Sequence, residues 1–214
     1  MFDDFSSDLR QEIAQSAARL MFEEGISDYA RAKRKAVKLL GIQQDAPLPT
    51  NAEIDMALRE YHALYADETD AAHLLDLRQA ALHTMQLLKK FNPHLTGSVM
   101  DGTAGPYADT EIHVFAESAK ELEIFLLNQN IPYHADEQQY RMSDRPGKQK
   151  HELVRKRVPV VRVETRFGTQ RISIFEADDI RAAPRKSGEK AGIHRMGLPQ
   201  LSELLSAQQS PGQE

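Results

Sequence analysis

The sequence contains no cysteine and no tryptophan. Without thiols there are no disulfides and no thiolate metal site. Nowhere do about 18 apolar residues run together, so no membrane-spanning helix is expected. The N-terminal stretch MFDDFSSDLRQE is acidic and lacks an apolar core, so it does not read as a signal peptide, and a cytoplasmic location is the default expectation. No G-K-[ST] occurs, which excludes a P-loop. His62, His73 and His83 fall on predicted helices without an i+4 histidine partner, which argues against a helical metal pair. Aromatic residues make up only 7% of the chain. Near its basic stretches only Tyr140 and Phe167 are available for stacking, so a single-stranded nucleic-acid binding surface is disfavoured.

What is present is an ordinary globular composition, with 41% apolar and 28% charged residues in 214. The length fits one domain with an extension, or two small ones. Charge is unevenly spread. The net charge is −5, yet residues 1–140 carry 12 Lys/Arg against 23 Asp/Glu, and residues 141–171 carry 10 against 3. Residues 181–195 add 5 cations against 1 acid. A basic second half suits an anionic partner such as a nucleotide, with nucleic acid a weaker expectation.

The first 92 residues read as helical. Leu9, Ile13, Ala17, Leu20 and Met21 recur at helical spacing in a helix over 7–24 that stops at Gly25. Ser27 is placed to cap a second helix over 28–40, whose surface is crowded by Arg31, Lys33, Arg34, Lys35 and Lys38. Thr50-x-x-Glu53 forms a capping box that opens a third helix, about 51–66, with Leu64 and Tyr65 on its buried side. Asp70 is placed to cap a fourth, about 70–91, which Asn92-Pro93 ends. These apolar stripes also offer a surface for self-association.

From residue 93 the period changes to that of strands. The spacing predicts strands at 94–99 and 110–115, a helix at 119–129, and two short strands at 131–134 and 138–142. It further predicts a polar loop at 144–150 and a long strand at 154–167 interrupted at Pro159. A Gly168-Thr169 turn and a returning strand at 170–175 follow. Residues 176–183 read as a short helix, residues 184–197 as a basic loop, and residues 198–207 as a last helix before a disordered tail. The expected class is therefore α+β, a mixed-sheet domain over 93–183 preceded by a helical region over 1–92 and followed by a C-terminal segment over 184–214.

The most informative stretch is LTGSVMDGTAGPYADTEIHVF, residues 95–115. A short strand breaks at Gly97-Ser98, a small-residue loop follows, and the next strand carries Asp109 and Glu111. Residues i and i+2 of a strand lie on one face, so both carboxylates point the same way. That arrangement is costly unless a positive charge offsets it. Mg²⁺ is commonly held by one or two carboxylates together with substrate phosphates. Gly97 permits close backbone approach. Ser98 offers a hydroxyl and an N–H, and the loop from Gly102 and Thr103 to Gly105 offers amides to a phosphate.

This block resembles the nucleotidyltransferase fold of polymerase-beta-like enzymes, poly(A) polymerases and antibiotic-modifying adenylyltransferases. Those proteins share a strand ending in Gly-Ser or Gly-Gly, about ten intervening residues, and an acid-x-acid strand. Here ten residues separate Gly97-Ser98 from Asp109-Thr110-Glu111. The GSV-x-x-GTAG-x-x-x-D pattern also resembles a group of bacterial proteins, some labelled UDP-N-acetylmuramate–alanine ligase. Such ligases use the absent G-K-[ST] loop and three domains, for which the chain is too short. The resemblance covers roughly residues 90–180.

The resemblance implies a Mg²⁺-dependent transfer of a nucleoside monophosphate from an NTP to an unknown hydroxyl acceptor. Asp109 and Glu111 would be both catalytic and metal-holding. It also implies a third carboxylate on a later strand after a segment like Arg157-Val158-Pro159-Val160-Val161. At that place the returning strand TQRISIF carries Arg171. Glu164 is the nearest acid that could substitute, with Glu176 a weaker candidate. Arg162, Arg166 and Glu164 are expected on one strand face, where Arg162 and Arg171 could bind phosphate oxygens. The alternative is a catalytically degenerate nucleotide-binding or protein-interaction module that lacks the third carboxylate.

Overall fold

The four N-terminal apolar stripes do form helices. In a computed structural model, the described residues are 2–42, 46–143, 153–181, 184–186 and 193–209. The expected loop at 144–150 and the expected tail from residue 210 onward lie outside them. Helices α1 (Phe2–Glu24), α2 (Tyr29–Leu39), α3 (Asn51–Tyr65) and α4 (Glu68–Leu87) come first. A 3₁₀ turn at Lys89–Phe91 follows, then β1 (His94–Thr96), α5 (Gly97–Asp101), β2 (Thr110–Ala116) and α6 (Ala119–Asn128). Next are β3 (His134–Ser143), β4 (Leu153–Thr165), β5 (Gly168–Glu176) and a 3₁₀ turn at Ala177–Arg181. The chain closes with β6 (Arg185–Lys186), β7 (Met196–Gly197) and α7 (Leu198–Gln209).

The chain divides into two compact units. One comprises Met1–Ala72 with Gly102–Ala108, and the other His73–Asp101 with Asp109–Glu214. The division falls inside α4 rather than at residue 92, where the sequence period changes.

The helical unit is held by Ile13, Ala17, Leu20 and Phe22 of α1 against Ala32, Ala36 and Val37 of α2 and Ile54 and Leu58 of α3. Small residues at the α1 contact positions let the helices approach closely. The Thr50/Glu53 capping box is formed. Glu53 N–H donates to Thr50 Oγ1 at 3.2 Å, and Thr50 N–H donates to Glu53 Oε2 at 2.6 Å. Two caps differ from expectation. Asp28, not Ser27, accepts from Arg31 N–H at 2.6 Å. Asp67, not Asp70, accepts from the N–H groups of Thr69 and Asp70 at 2.8 and 3.0 Å. The Asp28 carboxylate also meets the positive end of the helix dipole, and Asp70 acts as the reciprocal partner, accepting from the Asp67 N–H at 3.2 Å. Leu64 and Tyr65, expected on the buried side of α3, are 76% and 64% exposed. The last turn of that helix has rotated away from its core.

The segment Gly102–Ala108 packs within the helical unit. A side-chain carbon on Gly105 would lie 1.9 Å from the Phe22 carbonyl oxygen. One on Gly25 (φ +64) would lie 2.1 Å from the Tyr107 carbonyl oxygen. Gly105 of this loop and Gly25 after α1 therefore serve backbone-to-backbone packing.

In the other unit seven strands form one sheet in the order β6-β3-β4-β5-β2-β1-β7. The central pair, β2 and β5, is parallel, and every other pair is antiparallel. Four details correct the sequence reading. β1 ends at Thr96, and Gly97 (φ +73) opens the short helix α5 rather than a loop. The two short strands expected at 131–142 are one strand, β3. The β4–β5 turn is Arg166-Phe167, with Thr165 paired to Gly168 (φ +124). Pro159 does not interrupt β4, because pairing with β5 begins only at Val160 and no ladder donor is lost there.

Gly105→Ala is expected to destabilise the chain by about 1–3 kcal/mol, since the added methyl must displace backbone rather than a side-chain tip. Thermal unfolding checks this, and an unchanged Tm would refute the packing role.

Candidate functional site

Parallel register between β2 and β5 pairs Glu111 with Arg171. Antiparallel register between β5 and β4 pairs Arg171 with Arg162. Glu111 is also paired with Thr96 of β1. Arg162, Arg171, Glu111 and Thr96 thus form one row across four adjacent strands, on one face of the sheet. Asp109, just before β2, points to the same side as Glu111.

The ions of this row interlock. Arg171 Nη1 lies 3.9 Å from Asp109 Oδ2, and Arg171 Nη2 donates to Gln138 Oε1 at 3.2 Å. Arg162 Nη2 lies 3.6 Å from Asp136 Oδ2. Glu164 accepts from the Thr169 hydroxyl, at 3.1 Å through Oε1 and 2.9 Å through Oε2. Burial pushes the Asp109 carboxyl above the usual aspartate range. Arg171 and Arg162 pull it back down, whereas Glu111 and Glu164 push it further up. Asp109, Glu111, Glu164, Arg162 and Arg171 are therefore within electrostatic reach of one another.

Gly97 is close to the acids in a specific sense. A side-chain carbon there would lie 3.2 Å from Glu111 Oε2. The close approach that glycine permits is thus made to the Glu111 carboxylate. Ser98 follows in the first turn of α5. Gly102 and Thr103 belong to the helical unit and not to the sheet-bearing one.

Other expected residues stand elsewhere. Glu176 ion-pairs with Lys156 Nζ at 2.9 Å, five residues along β5 from Arg171. Arg166 sits in the hairpin turn, 4.4 Å over the Phe167 ring, because the strand ends at Thr165. Arg195, read as part of a basic loop, is tied down. Its Nε donates to His113 Nδ1 at 3.3 Å, its Nη1 donates to the Ile180 carbonyl at 3.0 Å, and it stacks over Phe115 at 4.9 Å. Lys190 lies outside the described residues. A cavity of about 360 Å³ bordered by Met100, Asp101, Arg195, Met196 and Gln200 involves none of the expected site residues.

One supporting residue escaped the sequence reading. Arg78 of α4 is 6% exposed. Its Nε donates to the Val99 carbonyl at 3.0 Å and its Nη2 to the Met100 carbonyl at 3.2 Å. It closes the C-terminal end of α5, whose first residues are Gly97 and Ser98. The available signal was an arginine within an otherwise apolar stripe, Leu74, Leu77, Arg78, Ala81 and Met85.

Two carboxylates on one side of the sheet are the kind of donor that a hard cation such as Mg²⁺ takes, since it needs only one or two carboxylates when phosphate oxygens complete its shell. Among the described residues no group of three His, Cys, Asp or Glu side chains is arranged to hold a metal alone. The two guanidinium groups suit phosphate oxygens. No family model, curated protein or solved structure matches the chain.

Arg78→Met is expected to cost about 1–3 kcal/mol, because it leaves two buried carbonyls without donors. A denaturant titration measures the loss, and a midpoint unchanged from the parent would show that α5 does not depend on it.

Asp109 gives a pH test. A carboxyl whose native pKa is raised binds its proton more readily folded than unfolded. Its contribution to stability is therefore present at low pH and lost as pH rises through the native pKa. Asp109→Asn should thus hold or slightly raise Tm at pH 7, within about 2–4 °C, or about 1 kcal/mol for a chain of this size. Thermal scans between pH 3 and pH 8 decide it. A clear drop at pH 7 would mean that the ion pair with Arg171 outweighs burial.

Proposed function

We propose that the chain is a nucleotidyltransferase-like protein that binds a Mg²⁺–NTP complex and passes its nucleoside monophosphate to a hydroxyl acceptor. One observation carries this reading. The β2–β5 register gathers the acids of the GS…D-x-E block and two arginines on a single sheet face, beside the glycine that opens α5. The nucleotidyltransferase-like character of the fold belongs to the same reading, and the Gly97–Glu111 spacing supports it.

In this reading Asp109 and Glu111 hold the cation, which supplies charge neutralisation to the phosphates. Arg171 and Arg162 steady the phosphate oxygens. Ser98 offers a hydroxyl near the start of α5. The acceptor oxygen bonds to the α-phosphorus, the bridging α–β P–O bond breaks, and pyrophosphate departs. The hydroxyl proton passes to Glu164, whose carboxylate stands near enough to Asp109 to influence its proton affinity.

A second reading has its own support. Arg171 stands where the resemblance implies a third carboxylate, and it already neutralises Asp109. A site so filled would bind nucleotide without turning it over.

Binding and pyrophosphate release with Mg²⁺ and each NTP test both readings. Asp109→Ala should abolish release. Glu164→Gln should slow release by about 10²–10⁴-fold while nucleotide binding persists, as expected when a general base is lost. Binding without release in the parent would establish the second reading, and absence of NTP binding would defeat both.

A further inference from the structure

The run Arg155-Lys156-Arg157 is divided by strand parity. Lys156 turns to the face that carries Tyr140, its partner in β3, and is neutralised by Asp179 at 2.7 Å and Glu176 at 2.9 Å. Arg155 and Arg157 turn to the opposite face. There Arg155 is paired directly with Arg141 of β3, and Arg157 with Gln139. Like charges directly opposed across an antiparallel pair are destabilising, so folding alone gives no reason for this pairing. Among the described residues the one acid contact is the Arg157 Nη1–Glu137 Oε2 pair at 4.0 Å, between side chains 75% and 63% exposed, and such a pair has little value. Among the described residues neither Arg141 nor Arg155 has an ion-pair partner. Beyond Val160, toward residue 153, β4 has no pairing with β5. This part of the β3–β4 ladder, with β6 on its outer side pairing Arg185 with Arg141, is therefore a ribbon at the side of the sheet, with Arg155 exposed on it.

We propose that this ribbon face docks on the phosphate backbone of duplex nucleic acid, independently of base sequence. Ordinary strand spacing and rise put the Cα atoms of Arg141 and Arg155, and of Arg155 and Arg157, about 5–7 Å apart. An extended, regularly charged polyanion fits such a stripe. Guanidinium groups bind phosphate oxygens bidentately and are lightly hydrated, which favours arginine over lysine here. The face that bears Arg141, Arg155 and Arg157 also carries Gln139, Glu137 and Pro159, and no aromatic residue. Single strands are held chiefly by base stacking on aromatic side chains, so the duplex is the favoured form. The chain as a whole is acidic, at −5, so attraction to a polyanion has to be local. This surface does not depend on the nucleotide site.

Fluorescence anisotropy of the full chain with a labelled 20-base-pair DNA of mixed sequence tests the proposal. Three neutralised phosphates predict a slope of about −2.7 in log Kobs against log salt, a weakening of roughly 40-fold between 50 and 200 mM. Each of Arg141→Gln, Arg155→Gln and Arg157→Gln should lower the slope by about one. The triple variant should lose the salt-dependent term while keeping or raising Tm, because it removes opposed like charges. If the triple variant does not fold, Arg157→Glu alone should weaken binding at least tenfold. Absence of binding at 50 mM salt, affinity unchanged in the variants, or tighter binding to the corresponding single strand would each overturn the proposal.

Discussion

The parallel register of β2 on β5 is the constraint on which the site depends. Parallel neighbours cannot be joined by a tight turn, so the chain between them must leave the sheet and return. Here that connection contains α6 and the whole β3–β4 ladder, and it places both of those strands on the far side of β5. The result is a row in which Arg162, Arg171 and Glu111 come from three strands distant in sequence. A slip of one residue in β5 would turn Arg171 to the other face and bring Gln170 into its place. Both faces of β5 are filled beyond Arg171, with Ile172 and Ile174 on one and Ser173 and Phe175 on the other, so a slip would exchange side chains of different size between two packed layers.

The sequence made some of this legible and concealed the rest, for identifiable reasons. Helical periodicity and a capping box are local signals, so α1 to α3 and the Thr50/Glu53 cap could be read directly. The i, i+2 spacing of Asp109 and Glu111 is local too, and their shared face followed from it. Arg171 stood out only by contrast with an expected acid, and its actual neighbours depend on long-range register. The glycines of the 102–105 loop read equally well as phosphate donors or as packing residues. Gly105 packs, because the Phe22 carbonyl occupies the space a side chain would need. Arg78 stands out as a cation in an apolar stripe, but a helical stripe gives no sign of which carbonyls a buried guanidinium will meet. Charge counts likewise grouped Arg155, Lys156 and Arg157 together, whereas the pleat separates them onto two faces.

One face of the sheet carries two characters along the length of its strands. On the face shared by His113, Tyr140 and Phe175, an aromatic cluster fills the space toward one end of β2 and β5. Arg195 covers it as a stacked cation rather than as a mobile one. At the other end of those strands the apolar filling stops, and the acids and arginines take over. The Tyr140 hydroxyl meets Ser173 Oγ at 3.0 Å beside this change of character. The aromatic end is packed with side chains, whereas the charged end is lined by ionisable groups.

At that charged end the balance of charge bears directly on what the site can hold. Asp109, Glu111, Glu164 and Asp136 face Arg162 and Arg171, so four carboxylates meet two guanidinium groups. Burial is the first cause of the upward push on Asp109, to which Glu111 and Glu164 add, and by this count of charges an excess of two negatives remains. A divalent cation would remove it, and the two arginines would then be free to turn toward the phosphates that arrive with the cation. An acid in place of Arg171 would deepen the excess and demand a second cation. Under the function proposed above, arginine at that position would take part in offsetting the phosphates, and proton removal from an acceptor would fall to Glu164 on the neighbouring strand.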